Sequence, residues 1–96
     1  MNEPRLKLCL YLAGDSLGAQ RALAGRQNLI DAVGGQIDIE IIDILAQPEL
    51  AEAAGILATP TLSDDSTFPP RRLVGDISDA DQVLSFFGYS KKGIGS

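Results

Sequence analysis

Ala58-Thr59-Pro60-Thr61-Leu62 joins a short helical pattern to an apolar, strand-like run in a chain of 96 residues. A proline at such a junction favours a tight turn, where an X-Pro bond adopts the cis form at a cost of only about 0.5–1 kcal/mol. The junction therefore predicts a tight turn at Pro60, at the start of a strand, where the fold could hold a cis bond. This interpretation gives Pro60 a structural role, which we favour well above a direct role in ligand binding.

Two strands are predicted upstream of this turn. The segment Leu6–Leu12 alternates over its first half and is then apolar throughout, which indicates a largely buried strand. Residues 37–44 also alternate, with isoleucines on one face and Asp38 and Glu40 on the other. The intervening segment is long enough for a right-handed crossover, so we expect the two strands to be parallel.

Two helices are predicted from periodicity and from their end signals. Apolar residues recur at helical spacing over residues 19–33, with Asp15 or Ser16 as the N-cap and a pair of glycines at the end. Pro48 and Gly55 bracket a second helix of one or two turns. Proline favours the first helical turn and glycine the position just past the end.

The second half of the chain is predicted to contain two strands and a last helix. Thr61-Leu62 opens the third strand, and Arg71–Val74 forms a fourth strand antiparallel to it. Ser78 with Asp81 resembles a capping box before the helix. Residues 82–89 also favour strands, so this half of the chain is a candidate for two packings of similar energy.

The predicted order, β-α-β-α-β-β-α, is that of an α/β thioredoxin-like domain over residues 6–89, followed by a flexible tail at 90–96. The chain is 45% hydrophobic and 22% charged, which is typical of a globular protein. Its net charge of −5 argues against general nucleic-acid binding, which needs a basic face, and fits a soluble protein or one that meets a basic partner surface. No signal peptide or membrane-spanning stretch is predicted, so we expect a cytoplasmic protein.

The sequence lacks the residues of thioredoxin chemistry. In that fold the loop proline usually follows a cis bond, so the thioredoxin-like layout implies a cis bond before Pro60. In redox members this proline faces a Cys-x-x-Cys, whereas the corresponding segment here is Gly14-Asp15-Ser16-Leu17. The chain has no histidine and one cysteine, Cys9, in a strand that we expect to be buried. A reactive thiol needs exposure and a lowered pKa. No catalytic residue, cofactor or metal site is therefore predicted.

Several short motifs occur in a fixed order along residues 6–87. They are Leu10-Tyr11-Leu12-Ala13-Gly14, Arg21-Ala22-Leu23, Ile42-Asp43-Ile44-Leu45, Pro48-Glu49-Leu50-Ala51-Glu52, Ile56-Leu57-Ala58-Thr59-Pro60-Thr61-Leu62 and Pro69-Pro70-Arg71-Arg72-Leu73-Val74-Gly75-Asp76-Ile77-Ser78-Asp79. Each motif is weak alone, but in this order and spacing they are fairly specific. The chain resembles the KaiB family of circadian clock proteins.

This resemblance implies a non-enzymatic regulator. KaiB-like proteins bind the ATPase ring of KaiC, sequester KaiA in complete clocks, and compete with a thioredoxin-like sensor domain of a histidine kinase. The family also implies exchange between a thioredoxin-like monomer and a tetramer-forming state in which the second half refolds. We therefore expect a KaiC-like hexameric ATPase as the partner, in circadian or stress signalling, with KaiA or a sensor histidine kinase as further candidates and with self-association as a dimer or tetramer.

Five positions are the expected partner contacts, because of their place in the family pattern. Glu40 and Gly55 stand where lysine is common, and Asp64 stands where a basic residue is common. Arg71 and Arg72 complete the set, although solvation of an edge strand explains these two arginines equally well. Lost positive charge mainly alters partner choice and association rate, so a divergent member of the family is expected. If Glu40 and Asp64 are surface residues, lysine at both positions changes affinity with little loss of stability.

Two other functions stay open from the sequence. A redox-inert, thioredoxin-like sensory module of a histidine-kinase system would have the same fold and the same lack of a Cys-x-x-Cys motif. A thiol oxidoreductase acting through Cys9 alone is the least favoured interpretation.

Overall fold

The computed structural model describes residues 6–89, and the tail predicted at 90–96 lies outside the described residues. The helices and strands follow the predicted order β-α-β-α-β-β-α. They are β1 (Leu6–Leu12), α1 (Leu17–Ala32), β2 (Ile37–Asp43), α2 (Pro48–Ala54), β3 (Thr61–Asp64), β4 (Arg71–Val74) and α3 (Ala80–Phe86).

The four strands form one sheet in the order β2-β1-β3-β4. β1 runs parallel to β2 and antiparallel to β3, and β3 runs antiparallel to β4. The predicted parallel pairing of the first two strands and antiparallel pairing of the last two are both confirmed. β1 and β3 are consequently the central strands, while β2 and β4 form the two edges.

The hydrophobic core lies on the face of the sheet that α1 and α3 cover. Every second residue of β1 points into it, so Leu8, Leu10 and Leu12 are at most 3% exposed. Burial of each such side chain contributes about 1.5–3 kcal/mol. The same cluster contains residues of β2, β3 and both helices: Ala19, Ala22, Leu29, Val33, Ile37, Ile39, Leu62, Ile77, Val83, Leu84 and Phe87.

The ends of the first two helices follow the predicted signals. Ser16 is the N-cap of α1, and its Oγ accepts a hydrogen bond from Ala19 N at 3.1 Å. Pro48 lies in the first turn of α2. Gly55 ends that helix in the left-handed conformation with φ of 73°, which glycine adopts without steric cost.

The start of α3 differs from the prediction. Its N-cap is Asp79, whose carboxylate accepts a hydrogen bond from Gln82 N at 3.2 Å, so the capping box assigned to Ser78 and Asp81 is wrong. Ser78 instead donates its backbone N–H and its hydroxyl to the Asp76 carboxylate, at 2.9 and 3.1 Å. Because this turn already uses the Ser78 hydroxyl, the cap falls one residue later.

Asp43 joins the end of β2 to the loop between β1 and α1. Its Oδ1 accepts hydrogen bonds from Gly14 N at 2.9 Å and from Leu45 N at 3.0 Å. These two donors favour the ionised carboxylate and lower the pKa of Asp43. Gly14 has a φ of 59°, so this tight approach uses the left-handed freedom of glycine.

The bond between Thr59 and Pro60 is cis, as predicted, and Gly75 N donates to Pro60 O at 2.9 Å. A second cis bond, between Phe68 and Pro69, was not predicted from the sequence. The segment with mixed preferences, residues 82–89, continues α3 to Phe86. A second packing of this half of the chain stays a prediction.

Close packing between α1 and the loop before α3 gives a test of the fold. A Cβ atom added at Gly25 would lie 2.9 Å from both Cγ1 and O of Ile77, whereas one added at Gly18 would lie 3.9 Å from Pro60 Cδ. Alanine normally stabilises a helix relative to glycine by up to about 1 kcal/mol. Overpacking costs about 1–3 kcal/mol, so we expect Gly25→Ala to lower the free energy of unfolding while Gly18→Ala leaves it equal or higher. Urea denaturation of both variants measures this, and a Gly25→Ala protein as stable as Gly18→Ala would contradict the packing.

Candidate partner-binding surface

The sheet face opposite the core carries a row of polar side chains. Cys9 pairs with Glu40 on β2 and with Ser63 on β3, and Ser63 pairs with Arg72 on β4. Directly paired residues lie side by side on one face, so these four residues form a row across all four strands. Three strand spacings, about 14 Å, separate Glu40 from Arg72.

A hydrogen-bond network around Asp65 fixes one end of this row. The Ser63 hydroxyl donates to Asp65 Oδ1 at 2.6 Å, and Tyr11 Oη donates to Asp65 Oδ2 at 3.4 Å. Arg72 Nε donates to Ser63 Oγ at 3.0 Å, and its guanidinium lies 3.6 Å from Asp65 Oδ1. Burial and the nearby Asp65 carboxylate raise the pKa of Tyr11 to about 12, so its hydroxyl remains a donor at neutral pH. The Arg72 side chain is therefore held in one orientation.

A shallow cavity of about 180 Å³ adjoins Arg72, where the chain leaves α2. Its lining defines what we name the α2–β4 surface: Gly55, Ile56, Leu57, Ala58, Thr61, Arg72 and Val74. Leu57 is 98% exposed and Val74 is 59% exposed. The Thr61 hydroxyl donates to Ala58 O at 2.7 Å, which fixes the loop that carries Leu57. This surface therefore presents apolar side chains beside one positioned guanidinium.

The structure brings together two of the five predicted partner contacts. Gly55 and Arg72 both line the α2–β4 surface. Glu40 is exposed on the same face of the sheet but lies at the opposite edge, on β2. Arg71 lies on the other face, because successive side chains of a strand alternate. Its guanidinium is 5.0 Å from the centroid of the Phe86 ring and donates to Phe86 O at 2.5 Å.

The expectation that Asp64 is a surface residue is wrong. Asp64 is 5% exposed, and its Oδ1 accepts hydrogen bonds from Ser66 N at 3.0 Å and from Ser66 Oγ at 2.6 Å. All four residues of β3 are buried, since this strand is central in the sheet. The carboxylate of Asp64 therefore shapes the turn after β3, and we no longer consider it a partner contact.

Five of the seven residues that line the α2–β4 surface were not among the predicted contacts, and Leu57 and Val74 are its exposed large apolar side chains. Both belong to apolar runs, which indicate core positions when no structure is available. The sequence feature that could have indicated an exposed position for Leu57 is the turn at Pro60, because loops at such turns run over the surface.

The surroundings of Cys9 do not favour thiol chemistry. Burial, followed by the negative charges of Asp65 and Glu40, raises the pKa of the Cys9 thiol to about 11. A catalytic thiol needs the opposite shift, because the thiolate is the nucleophile. Within residues 6–89 no group of three or more Cys, Asp or Glu side chains is placed to hold a metal ion. The helices of this part of the chain are all too short or too polar to span a bilayer.

Comparison with known proteins identifies relatives over most of the chain. A family model described as KaiB domain matches residues 9–89. Circadian clock protein KaiB3 of Synechocystis sp. is 39% identical over 85 residues, covering 88% of this chain and 83% of that protein. The circadian clock oscillator protein KaiB of Parasynechococcus marenigrum is 44% identical over 78 residues, covering 80% of this chain and 75% of that protein.

Solved structures show the same architecture. The N-terminal domain of Synechococcus elongatus SasA matches with a TM-score of 0.68 at 26% identity, over 96% of this chain and 90% of that one. Chloroplastic thioredoxin z matches with a TM-score of 0.70 at 19% identity, over 85% of this chain and 74% of that one. The predicted thioredoxin-like fold is therefore confirmed.

The different positions of Asp64 and Glu40 predict opposite responses to lysine. Asp64→Lys removes a buried acceptor of two hydrogen bonds and buries an unpaired cation, so we expect a loss of about 2–4 kcal/mol in the free energy of unfolding. Glu40→Lys changes an exposed side chain, and its effect should stay within about 0.5 kcal/mol. Chemical denaturation of the two single variants measures both values. Equal stability of the two proteins would refute the assignment of Asp64 to the interior.

The raised pKa of Cys9 predicts slow alkylation. A thiol with a pKa of about 11 has a thiolate population at pH 8 that is roughly two hundredfold below that of a free cysteine, whose pKa is about 8.5. The rate of reaction with iodoacetamide should therefore be low and should rise steeply above pH 9. Asp65→Asn removes one of the charges that raise the pKa, so it should increase the rate while burial still limits it. Wild-type alkylation at the rate of a model peptide would contradict this account.

Proposed function

The chain belongs to the KaiB family, and from this premise we propose that it is a non-enzymatic regulatory protein that binds a KaiC-like hexameric ATPase. The family model covers nearly all described residues, and the relatives at 39% and 44% identity are both named as circadian clock proteins. A regulator of this kind acts on its target by binding and needs no catalytic thiol. The lack of a Cys-x-x-Cys motif at residues 14–17 and the raised pKa of the Cys9 thiol both agree with such a role.

The observation that carries this proposal is the exposure of Leu57 on a fixed loop. A leucine that is 98% exposed contributes nothing to the hydrophobic core. Its loop is nevertheless held by the left-handed Gly55 and by the hydrogen bond from the Thr61 hydroxyl to Ala58 O. Rigid presentation of an apolar side chain lowers the entropic cost of binding, so Leu57 is suited to enter a pocket of the ATPase.

Charge around the α2–β4 surface supports a partner that differs from the usual one. Arg72 is held by Ser63 and Asp65, whereas Glu40 places a negative charge about 14 Å away on the same face. Rim charges act mainly on association rate and on partner choice. We propose that Gly55 and Arg72 contact the partner directly, that Glu40 selects among related ATPases from the rim, and that Arg71, on the other face, is not part of this contact.

A second candidate function is supported by the likeness to the N-terminal domain of SasA. That match covers 96% of this chain at 26% identity, which fits a redox-inert sensory module of a histidine-kinase system. The higher identity to KaiB proteins favours the ATPase-binding regulator. KaiA as a further partner, a cytoplasmic location and a tetramer-forming second fold are parts of the proposal that follow from the family alone.

The role of Leu57 is tested with purified protein and the KaiC-like ATPase of the same organism, in ATP and again in ADP. We expect nucleotide-dependent binding and at least a tenfold loss of affinity in Leu57→Ser, which corresponds to about 1.4 kcal/mol. Phe68→Ser is the matched control, because Phe68 is 99% exposed and follows the far end of β3. Biolayer interferometry measures all three proteins.

Two outcomes contradict the proposal. If the wild-type chain binds no KaiC-like ATPase in either nucleotide, the ATPase-binding function is wrong, and recovery of a histidine kinase alone from the native lysate favours the second candidate. If the wild-type chain binds and Leu57→Ser binds equally well, the α2–β4 surface is not the contact.

A further inference from the structure

A second and larger cavity, of about 460 Å³, lies between α1 and the loop from β4 to α3. Its lining defines what we name the Pro60 groove: Gly18, Arg21, Ala22, Pro60 and residues 75–78. None of these residues lines the α2–β4 surface. The volume lies in the range of pockets that bind small molecules, so the groove is a candidate ligand site separate from the proposed partner contact.

The floor of the Pro60 groove is apolar. Ala22 of α1 and Ile77 of the loop are 3% and 2% exposed, and the half-buried ring of Pro60 adds a third apolar surface. The absence of a side chain at Gly18 keeps the groove wide, since even a Cβ atom there would lie 3.9 Å from Pro60 Cδ. An apolar group of a ligand therefore gains free energy by leaving water for this groove.

Two backbone donors in the wall of the groove are already bonded within the chain. Gly75 N donates to Pro60 O at 2.9 Å, and Ser78 N donates to Asp76 Oδ1 at 2.9 Å. A peptide that binds in an extended form relies on main-chain hydrogen bonds, and these two donors are not available to it. We therefore expect the side chains at the rim to hold a ligand of the groove.

One cation and one anion stand at this rim. The side chain of Arg21 is exposed and forms no hydrogen bond or ion pair within residues 6–89. The two hydrogen bonds from Ser78, followed by the nearby charge of Arg21, lower the pKa of Asp76 and keep it ionised. Each Asp76 oxygen accepts one of these hydrogen bonds and keeps a second lone pair. Because Arg21 and Asp76 do not pair with each other, both charges can bind a ligand.

We propose that the Pro60 groove binds a free α-amino acid with a large apolar side chain. The carboxylate of the ligand pairs with the Arg21 guanidinium, and its ammonium group donates to the Asp76 carboxylate, since charge-assisted hydrogen bonds are the strong ones. Its side chain packs on Ala22 and Ile77. An α-amino acid carries two opposite charges on one carbon, which matches a groove lined by one cation and one anion, whereas an internal residue of a peptide carries neither charge.

Titration with L-leucine, followed by two-dimensional NMR of the ¹⁵N-labelled protein, tests this site. We expect saturable shifts of the amides of Gly18, Ala22, Gly75 and Ile77, with a Kd of about 1–10 mM because the ligand is small and part of the groove faces solvent. The amide of Leu57, on the α2–β4 surface, should not shift. Glycine has the same two charges but no apolar side chain, so it should bind at least about tenfold more weakly.

Two analogues of leucine separate its charges. N-acetyl-L-leucine lacks the ammonium group and resembles the C-terminus of a chain, while L-leucinamide lacks the carboxylate and resembles an N-terminal residue. Each analogue should bind the wild-type protein at least about fivefold more weakly than L-leucine, because one charge at the rim is left without its partner.

Two variants assign these charges to residues. Arg21→Gln and Asp76→Asn should each weaken the binding of L-leucine at least about fivefold, and asparagine at position 76 keeps an acceptor for Ser78 N. Asp76→Asn should bind L-leucine and N-acetyl-L-leucine within about twofold of each other, because the group that distinguishes them is gone, and Arg21→Gln should do the same for L-leucine and L-leucinamide. Asp31→Asn is the matched control, since Asp31 is exposed on α1 but does not line the groove, so its affinity should be unchanged.

Three results overturn the proposal. One is the absence of saturable shifts of these amides up to about 50 mM L-leucine. Another is wild-type binding of either analogue as tight as that of L-leucine, which would assign the groove to a chain terminus. The third is an unchanged affinity for L-leucine in both Arg21→Gln and Asp76→Asn. The first two use the wild-type chain, so they hold whether or not a variant folds, and none depends on whether a KaiC-like ATPase binds.

Discussion

The alternation of side chains along β1 is the constraint on which the rest of the structure depends. β1 pairs with β2 on one side and with β3 on the other, so its register sets the register of both. Leu8, Leu10 and Leu12 enter the core, while Cys9 and Tyr11 lie on the opposite face. A slip of one residue would exchange these two sets and bury a thiol and a phenol in the core. The polar row and the α2–β4 surface are therefore fixed by the same burial that stabilises the fold.

Much of this fold could be predicted because its signals are local. Pro60 and Gly55 specify backbone conformations that few other residues adopt, and the structure has a cis bond at the first and a left-handed residue at the second. The alternation in β1 and β2 and the long segment between them specified a parallel pair. Signals of this kind need no knowledge of distant contacts, since they act within a few residues.

The positions that could not be predicted all depend on distant or competing contacts. Asp64 is charged and follows Ser63, which suggests a surface position, yet β3 is central and Ser66 satisfies the carboxylate within the turn. Ser78 is an equally good cap by its chemistry, but Asp76 already uses it and Asp79 becomes the cap. Exposure of Leu57 has the same origin, because only the path of the loop after α2 decides that an apolar residue faces solvent.

The cis turn at Pro60 is kept in a thioredoxin-like scaffold whose residues 14–17 carry no Cys-x-x-Cys motif. The turn leads into Thr61, which lines the α2–β4 surface, whereas Cys9 is not part of that lining. On this surface the exposed side chain of Leu57 stands on a loop that is fixed without it, by the hydrogen bond from the Thr61 hydroxyl to Ala58 O. Because folding has already ordered this loop, binding does not carry the entropic cost of ordering it. Even a small apolar contact can therefore contribute to affinity. The proposed binding of a partner would then use the rigidity with which the fold presents Leu57.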